Sequence, residues 1–400
     1  MKLVVTVWEE TCAAAVDAIR AIALPHDMVE VRAEKFPSID YASLRGATAK
    51  PVILTVRGGV TPLEALDAGI DLIDVEWPNP PVAPERTVYS HHDYEGVRDV
   101  DEIMSAMRAR GCAYTKLAAT PRTFGENERL LALLPGTVIG MGERGLYTRI
   151  LAPFLGSELA FVAGGAIAAP AQLTLERAHE IYGVPRAEMV FAIAGNSAGH
   201  SLSPVIHNRL FREKGVPAAY TIASFDSFDE IRDAFLRGNP CGLSVTTPFK
   251  EEAFRVQAQM GENARRARAV NTLVNVNGTI VGDNTDVDGF AALLPRAENA
   301  AVLGRGPTAR AAIVALEDAN IPYTMFTRES MHALRSHDLI IDTLPPDADV
   351  AIPPCGTYIQ AAYTGAPKPV EAERRIGGLE LLHAQAVRQH QLFMKVFDEL

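Results

Sequence analysis

The chain has 400 residues, 48% hydrophobic and 22% charged, which is ordinary globular material long enough for two or three domains with separate cores. A formal net charge of -11 argues against nucleic acid or an anionic membrane as the main partner, since both demand clustered Lys and Arg; small molecules are the expected ligands. Cys12, Cys112, Cys241 and Cys355 lie far apart and form no CxxC pair, so neither a metal site nor a disulfide framework is expected, and the cytoplasm is the expected setting.

Met1-Lys2 runs directly into the apolar Leu3 to Val7, too short for the core of a signal peptide, and no run of about 18 uncharged apolar residues follows anywhere. The first 175 residues or so alternate short β-branched runs with helix-like segments, the pattern of parallel strands joined by helical crossovers. Eight strands are predicted: Leu3 to Val7, Met28 to Arg32, Val52 to Arg57, Leu72 to Glu76, Thr87 to Ser90, Ala113 to Leu117, Thr137 to Met141 and Leu159 to Val162. Eight such units predict an α/β fold with an N-terminal (β/α)₈ barrel whose helices and loops are trimmed, because the segment is shorter than the usual ~250 residues.

A helix is expected over Thr174 to Tyr182, then the breaker pair Gly183 and Pro185, and a second rhythm opens at Met189 to Ala194. The predicted domains are therefore 1–185, a substrate domain over 186–290, a Rossmann-like nucleotide domain over 291–375 and a C-terminal helix over 376–400 that returns to the substrate domain. In the third of these, Ala300 to Leu303 leads into Gly304-Arg-Gly306-Pro-Thr-Ala309-Arg310 and an Ala-rich helix, the strand, turn and helix that set a pyrophosphate at a helix N-terminus.

Barrel chemistry sits at the C-terminal ends of the strands, and here several strands end in charge. Glu30 and Arg32 close the second, Arg57 the third, Asp74 and Glu76 the fourth, His92 and Asp93 the fifth and Lys116 the sixth; Arg149 follows the seventh and Gln172 the eighth. Lys116 sits in the apolar run Tyr-Thr-Lys-Leu-Ala, where a desolvated ammonium with a lowered pKa becomes an amine nucleophile for a ketone; alone, the same lysine reads more readily as a snorkelling surface residue. His91 and His92 are adjacent on a strand and point to opposite faces, so they are not read as a metal pair.

Taken in order, Glu30-Val-Arg32, Pro51 to Arg57, Ser90-His-His92-Asp93, Lys116-Leu-Ala, Met141-Gly-Glu-Arg-Gly145 with Arg149, and Ala169-Pro-Ala-Gln172 resemble the type I 3-dehydroquinate dehydratases. The resemblance implies that Lys116 forms an imine with the substrate ketone, that His92 is general base and then acid, and that Glu30, Arg32, Arg57, Arg149 and Gln172 hold the carboxylate and hydroxyls. The family's Glu-Gly-Gly beyond the arginine is shortened here: Arg57 runs straight into Gly58-Gly59, which leaves His92 without its expected carboxylate partner. Glu34 stands where the family has Asp, and Ala168 where it has Ser.

Four polar runs mark the second half: Gly199-His-Ser201-Leu-Ser203-Pro204, Val245-Thr246-Thr-Pro-Phe-Lys250, Ala269-Val-Asn271-Thr272 and Gly282-Asp-Asn-Thr-Asp286. They offer hydroxyls and amides for a polyol, with a cation, Lys250, able to stabilise a developing alkoxide and a carboxylate, Asp286, able to fix the amine. Singly, Lys250 also reads as the first residue of a helix and Asp286 as an N-cap. With Gly378 to Ala386, these runs resemble shikimate dehydrogenase throughout residues 189–400. That implies a catalytic Lys250–Asp286 pair and substrate contacts from Ser201, Ser203, Thr246, Asn271 and Gln385. Gly304, Gly306 and Ala309 would hold the pyrophosphate, and Thr327-Arg328, after the strand Tyr323 to Phe326, favours NADP over NAD despite Glu329 beside them.

The expected function is two consecutive reactions in one chain, dehydration of 3-dehydroquinate to 3-dehydroshikimate and its NADPH-dependent reduction to shikimate. The alternatives are a chain in which only the dehydrogenase half works, or a metabolite-sensing regulator of the same ancestry.

Overall fold

The computed structural model describes residues 1–59, 62–183, 186–196, 198–256 and 258–398; Pro185 of the predicted breaker pair lies outside them. Eight strands come first: β1 (Lys2–Val7), β2 (Met28–Arg32), β3 (Val52–Thr55), β4 (Leu72–Glu76), β5 (Thr87–Asp93), β6 (Tyr114–Ala119), β7 (Thr137–Gly140) and β8 (Leu159–Ala163). They form one parallel sheet in the order β7-β6-β5-β4-β3-β2-β1-β8. Among the described residues β7 and β8 meet only at a bridge between Gly136 and Ser157, with the Leu159 amide donating to Thr137 Oγ1 at 3.2 Å, so the barrel is nearly but not fully closed.

The expected trimming is concentrated in three crossovers. Those after β2 and β3 keep only the short helices Tyr41–Gly46 and Glu64–Asp67, and that after β4 has no α-helix but the 3₁₀ turn Pro84–Arg86. Local sequence sets the other helix starts. Thr11 caps Cys12–Arg20, Thr174 caps Leu175–Ile181, and Thr123 with Glu126 makes a complete capping box for Phe124–Leu131.

The period-two alternation of strands explains why polar groups gather above an apolar plug. Val4, Met28, Ile53, Leu72 and Val88 pack with Ala118, Ile139 and Phe161 inside the barrel. Two residues further along the same strands stand Thr6, Glu30, Thr55, Asp74 and Ser90, all buried, joined by Lys116 two residues after Tyr114.

Contacts divide the chain into two compact units, residues 1–190 with 197–225, and residues 191–196 with 226–400. The first unit thus takes in more than the predicted 1–185. The helix Ser203–Lys214 and the strand β10 (Ala218–Ser224) belong to it, and Thr221 Oγ1 donates to the Tyr147 carbonyl of the barrel helix Leu146–Leu155 at 3.1 Å.

In the second unit Phe191 to Ala194 of β9 (Met189–Gly195) pair in parallel with β11 (Gly242–Val245), which runs antiparallel to β13 (Thr272–Val276). The short β12 (Gln259–Met260) edges β14 (Thr279–Asp283), and β13 and β14 form a hairpin through Asn277-Gly278. Both turn residues have positive φ, 49° and 87°, as a two-residue hairpin of this kind requires. A five-stranded parallel sheet follows, β15 (Ala300–Leu303), β16 (Tyr323–Phe326), β17 (Leu339–Asp342), β18 (Cys355–Gln360) and β19 (Ala372–Ile376), in the order β16-β15-β17-β18-β19. The last helix, Gly378–Asp398, packs on the helix Thr285–Leu293, where a side chain at Gly289 would stand 2.9 Å from Gln385 Cβ. No helix among the described residues is long and apolar enough to cross a membrane.

Candidate functional sites

The barrel cavity is lined by Thr6, Glu30, Arg32, Arg57, His92, Tyr94, Lys116, Met141, Arg149, Phe161, Ala168 and Gln172, among others. All seven residues given a catalytic or substrate-binding role in this half from the sequence, Lys116, His92, Glu30, Arg32, Arg57, Arg149 and Gln172, therefore share one pocket. Lys116 is 4% exposed, which excludes the snorkelling alternative. Nor is it a lone cation in an apolar strand. Its Nζ lies 3.3 Å from Glu30 Oε1, 3.4 Å from Asp74 Oδ2 and 4.0 Å from the centre of the Phe161 ring.

Glu30 also accepts from the Thr6 and Thr55 hydroxyls at 2.8 and 3.0 Å. Burial alone would raise its carboxyl, but Lys116 and Arg32 outweigh that and hold it below the usual range. Asp74 behaves likewise, with burial opposed by Arg57 and Lys116.

His92 has a partner after all. Its Nδ1 is 2.9 Å from Oε2 of Glu76, and its backbone N–H donates to Oε1 of the same residue at 2.9 Å. The expectation of an unpartnered histidine is thus corrected: the carboxylate comes from the end of β4, which pairs with β5 so that Glu76 stands opposite Ser90. A carboxylate only accepts, so this bond keeps the proton on Nδ1 and leaves the Nε2 lone pair available. Burial pushes the imidazole below its ordinary value, with Glu76 opposing and Arg57 and Lys116 assisting.

Arg57 donates to Asp74 Oδ2 at 2.9 Å, to Glu76 and to Ser90 Oγ at 3.2 Å, so its charge is largely met by protein carboxylates. Arg32 pairs with Glu34 at 2.7 Å. Gln172 donates to Thr6 Oγ1 at 3.2 Å and accepts from the Ala168 amide at 3.1 Å.

Arg149 differs from the other two arginines. It is buried, donates from Nε to the Gly140 carbonyl at 3.0 Å, and among the described residues has no carboxylate within ion-pair distance; burial pushes its guanidinium down to about 10. A buried cation with no countercharge, opening on a cavity, is a site for an anionic ligand group. His91, on the other face of β5, packs edge-on against Trp77 at 5.6 Å.

In the second unit Lys250 Nζ lies 2.5 Å from Asp286 Oδ2, and both side chains are nearly buried. Lys250 does begin a helix, Lys250–Ala253, but Asp286 is not an N-cap: Asn284 fills that place for Thr285–Leu293. Asn271 donates to Asp286 Oδ1 at 2.9 Å and to Thr285 Oγ1 at 3.0 Å, and Thr285 donates to Gln385 Oε1 at 2.9 Å. The structure thus joins Lys250, Asp286, Asn271 and Gln385 in one network. Thr246 begins the turn to that helix, accepting from the Phe249 amide at 2.9 Å. Sequence reasoning missed Thr285, which bridges the network, and Thr308, whose Oγ1 lies 3.5 Å from Lys250 Nζ. Ser201 and Ser203 belong to the first unit. Both are buried at the start of the helix Ser203–Lys214, and the Ser203 amide donates to Ser201 Oγ at 3.1 Å.

The nucleotide-type turn suits a pyrophosphate. Gly306 precedes the 12-residue helix Pro307–Asp318 with open space where a side chain would stand, while Gly304 has φ +110° and a side chain there would meet Thr343 Oγ1 at 2.6 Å. Ala309 is fully buried, letting the helix approach β15 closely. At the end of β16 the Glu329 carboxylate accepts from the Thr327 hydroxyl, and that bond, with the nearby Arg305 and Arg328, lowers its pKa. The Thr327 hydroxyl is therefore already engaged by a carboxylate.

Residues 3–188 match the family model for type I 3-dehydroquinase, and residues 193–273 that for the shikimate dehydrogenase substrate binding domain. The chain is 26% identical to a pentafunctional AROM polypeptide of Yarrowia lipolytica over 93% of its own length and 30% of the relative's. It is 28% identical to a chloroplastic bifunctional 3-dehydroquinate dehydratase/shikimate dehydrogenase of Arabidopsis thaliana, over 56% of this chain and 42% of that one. A solved structure of the dehydroquinate dehydratase and shikimate dehydrogenase from S. pombe AroM is 20% identical, with a TM-score of 0.43, covering 98% of this chain and 95% of that one. The chain spans less than half the length of either of these two curated relatives. Over residues 3–188 the chain is thus similar to the type I 3-dehydroquinases, and over residues 193–273 to the substrate binding domain of the shikimate dehydrogenases.

Proposed function

We propose that the barrel dehydrates 3-dehydroquinate to 3-dehydroshikimate and that the second half reduces this product to shikimate with NADPH. The observation that carries the reading is the buried Lys116 beside a carboxylate-held His92, in a cavity that also holds the uncompensated Arg149. Arg149 takes the substrate carboxylate, and Glu30, Arg32, Arg57 and Gln172 take hydroxyls and hold Lys116 in place. The Lys116 amine adds to the ketone and loses water to give an iminium. His92 removes the proton alpha to that carbon and then protonates the departing hydroxyl, so that water leaves and a conjugated double bond remains; a water molecule then hydrolyses the iminium, releasing the ketone product and the free Lys116 amine. Borohydride added during turnover of 3-dehydroquinate tests this: peptide mass analysis shows a reduced adduct on Lys116, and an unmodified Lys116 refutes the imine.

His92 works as a base when neutral, so dehydration is retained above its depressed pKa and lost as pH falls through it, below the ordinary value near 6.5. Glu76 opposes that depression, so Glu76→Gln moves the acid limb of the kcat profile to lower pH. It also replaces the charged acceptor of the imidazole's orienting bond with a weaker neutral amide oxygen and lowers kcat by about tenfold to a hundredfold. A pH–rate series reads both effects; a limb that moves upward contradicts the assignment.

In the second half, taken as a substrate domain over 186–290, a nucleotide domain over 291–375 and the helix over 376–400, NADPH supplies the hydride when bound. Gly304, Gly306 and Ala309 accommodate its pyrophosphate, and Thr327 and Arg328 its 2′-phosphate. Lys250 supplies the proton to the developing alkoxide while Asp286, held by Asn271, fixes the ammonium. Ser201, Ser203, Thr246, Asn271 and Gln385 hold the carboxylate and hydroxyls, an assignment that rests on the motifs. Arg328→Ala raises the KM for NADPH about tenfold and leaves that for NADH unchanged, as expected when a single charge-assisted hydrogen bond to the phosphate is removed. An equal rise for both cofactors contradicts the 2′-phosphate role.

A further inference from the structure

The loop after β7, Met141 to Gly145, contributes Met141 to the barrel cavity, but its acid, Glu143, is not among the cavity's lining residues. Instead one oxygen, Glu143 Oε1, accepts two hydrogen bonds from the chain beyond the barrel: from the Gly199 amide at 3.1 Å and from the buried Ser224 hydroxyl at 2.9 Å. The approach is close: a Cβ at residue 199 would stand 3.1 Å from that same oxygen, so that glycine lets the two meet without a shift of the carboxylate. A second barrel residue acts two positions further on. Arg177, on the helix Leu175–Ile181, donates from Nη2 to the Ser201 carbonyl at 2.6 Å.

Gly199 and Ser201 begin the polar run whose Ser201 and Ser203 are assigned to the dehydrogenase substrate. An exposed carboxylate on a loop is ordinarily free to move; this one is tied at a single atom to two donors, and the serine run it holds is bonded by Arg177 as well. We propose that Glu143 and Arg177, residues of the dehydratase barrel, are positioning residues for the dehydrogenase: they fix the serine run in the conformation that binds the substrate. The proposal rests on the reading of Ser201 and Ser203 given above.

The test uses full-length variants and steady-state kinetics of both reactions. Glu143→Ala raises the dehydrogenase KM for shikimate about threefold to tenfold, the range expected on removing one or two net hydrogen bonds at a part-exposed site, with kcat nearly unchanged. Glu143→Gln keeps a carbonyl oxygen able to take both donors and restores KM to within about twofold of wild type. Arg177→Met gives a rise like that of Glu143→Ala. The dehydratase constants stay at wild-type values in all three, which a general loss of folding would not allow. An unchanged shikimate KM in both Glu143→Ala and Arg177→Met overturns the proposal. So does a rise accompanied by an equal loss of dehydratase activity. Ser201→Ala and Ser203→Ala, measured alongside, report separately on the underlying reading: an unchanged KM there removes the serines from the substrate site, whatever the barrel variants show.

Discussion

Lys116→Ala abolishes dehydration of 3-dehydroquinate and borohydride labelling together, while the same protein still oxidises shikimate. The loss in kcat is expected to reach at least about 10⁴-fold, because in the proposed mechanism the imine is the electron sink for the whole reaction and no neighbouring amine replaces it. Among the described residues no other lysine lines the cavity, whose remaining cations are the guanidiniums of Arg32, Arg57 and Arg149. The substitution also removes the cation from between Glu30 and Asp74, and breaking a buried ion pair in this way costs about 3–5 kcal/mol of stability. Lys116→Arg separates the two effects. A guanidinium keeps the positive charge but does not form an imine, so the protein regains most of the lost Tm yet remains inactive in dehydration. Recovery of activity in Lys116→Arg contradicts covalent catalysis at this position.

Lys250→Ala lowers the dehydrogenase kcat by about 10²–10⁴-fold, the usual contribution of a positioned proton donor, and leaves dehydration intact. Asp286 holds the same ammonium at 2.5 Å and is itself held by Asn271, so the pair acts as a unit. Asp286→Asn is therefore expected to fall in the same range. The double variant should be little worse than the poorer single one, as non-additivity within a catalytic unit requires. Fully multiplicative losses, measured in a double-mutant cycle, show that the two residues act independently and contradict this arrangement.

Much of this architecture is legible in the residues themselves. The β-branched runs locate all eight barrel strands because burial on both faces favours such side chains, and the strand-end rule draws attention to Glu30, His92 and Lys116. What escapes a linear reading is pairing across the barrel. Lys116 looks isolated among Tyr114, Thr115 and Leu117, but its carboxylates come from Glu30 and Asp74, 86 and 42 residues away. His92 looks unpartnered because Gly58-Gly59 follows Arg57 directly, whereas the register of β4 against β5 supplies Glu76 instead. Glu76 is visible as a strand end, and only the register tells which neighbour it serves. The domain boundary follows the same logic. Composition suggests a break near Arg186, whereas the grouping of residues 197–225 with residues 1–190 depends on packing such as that of Thr221 with Tyr147, which no local signal announces. In the second unit the short motifs carry Lys250, Asn271 and Asp286, while Thr308 enters through the packing of the nucleotide-type helix.

The central claim, that one chain carries out both steps in succession, is tested most directly by supplying 3-dehydroquinate and NADPH and following NADPH oxidation. Wild type should oxidise NADPH and form shikimate. Lys116→Ala and Lys250→Ala should each fail alone, the second accumulating 3-dehydroshikimate, and an equimolar mixture of the two should restore conversion. Absence of NADPH oxidation by wild type with 3-dehydroquinate, or a mixture no more active than its components, would contradict the account.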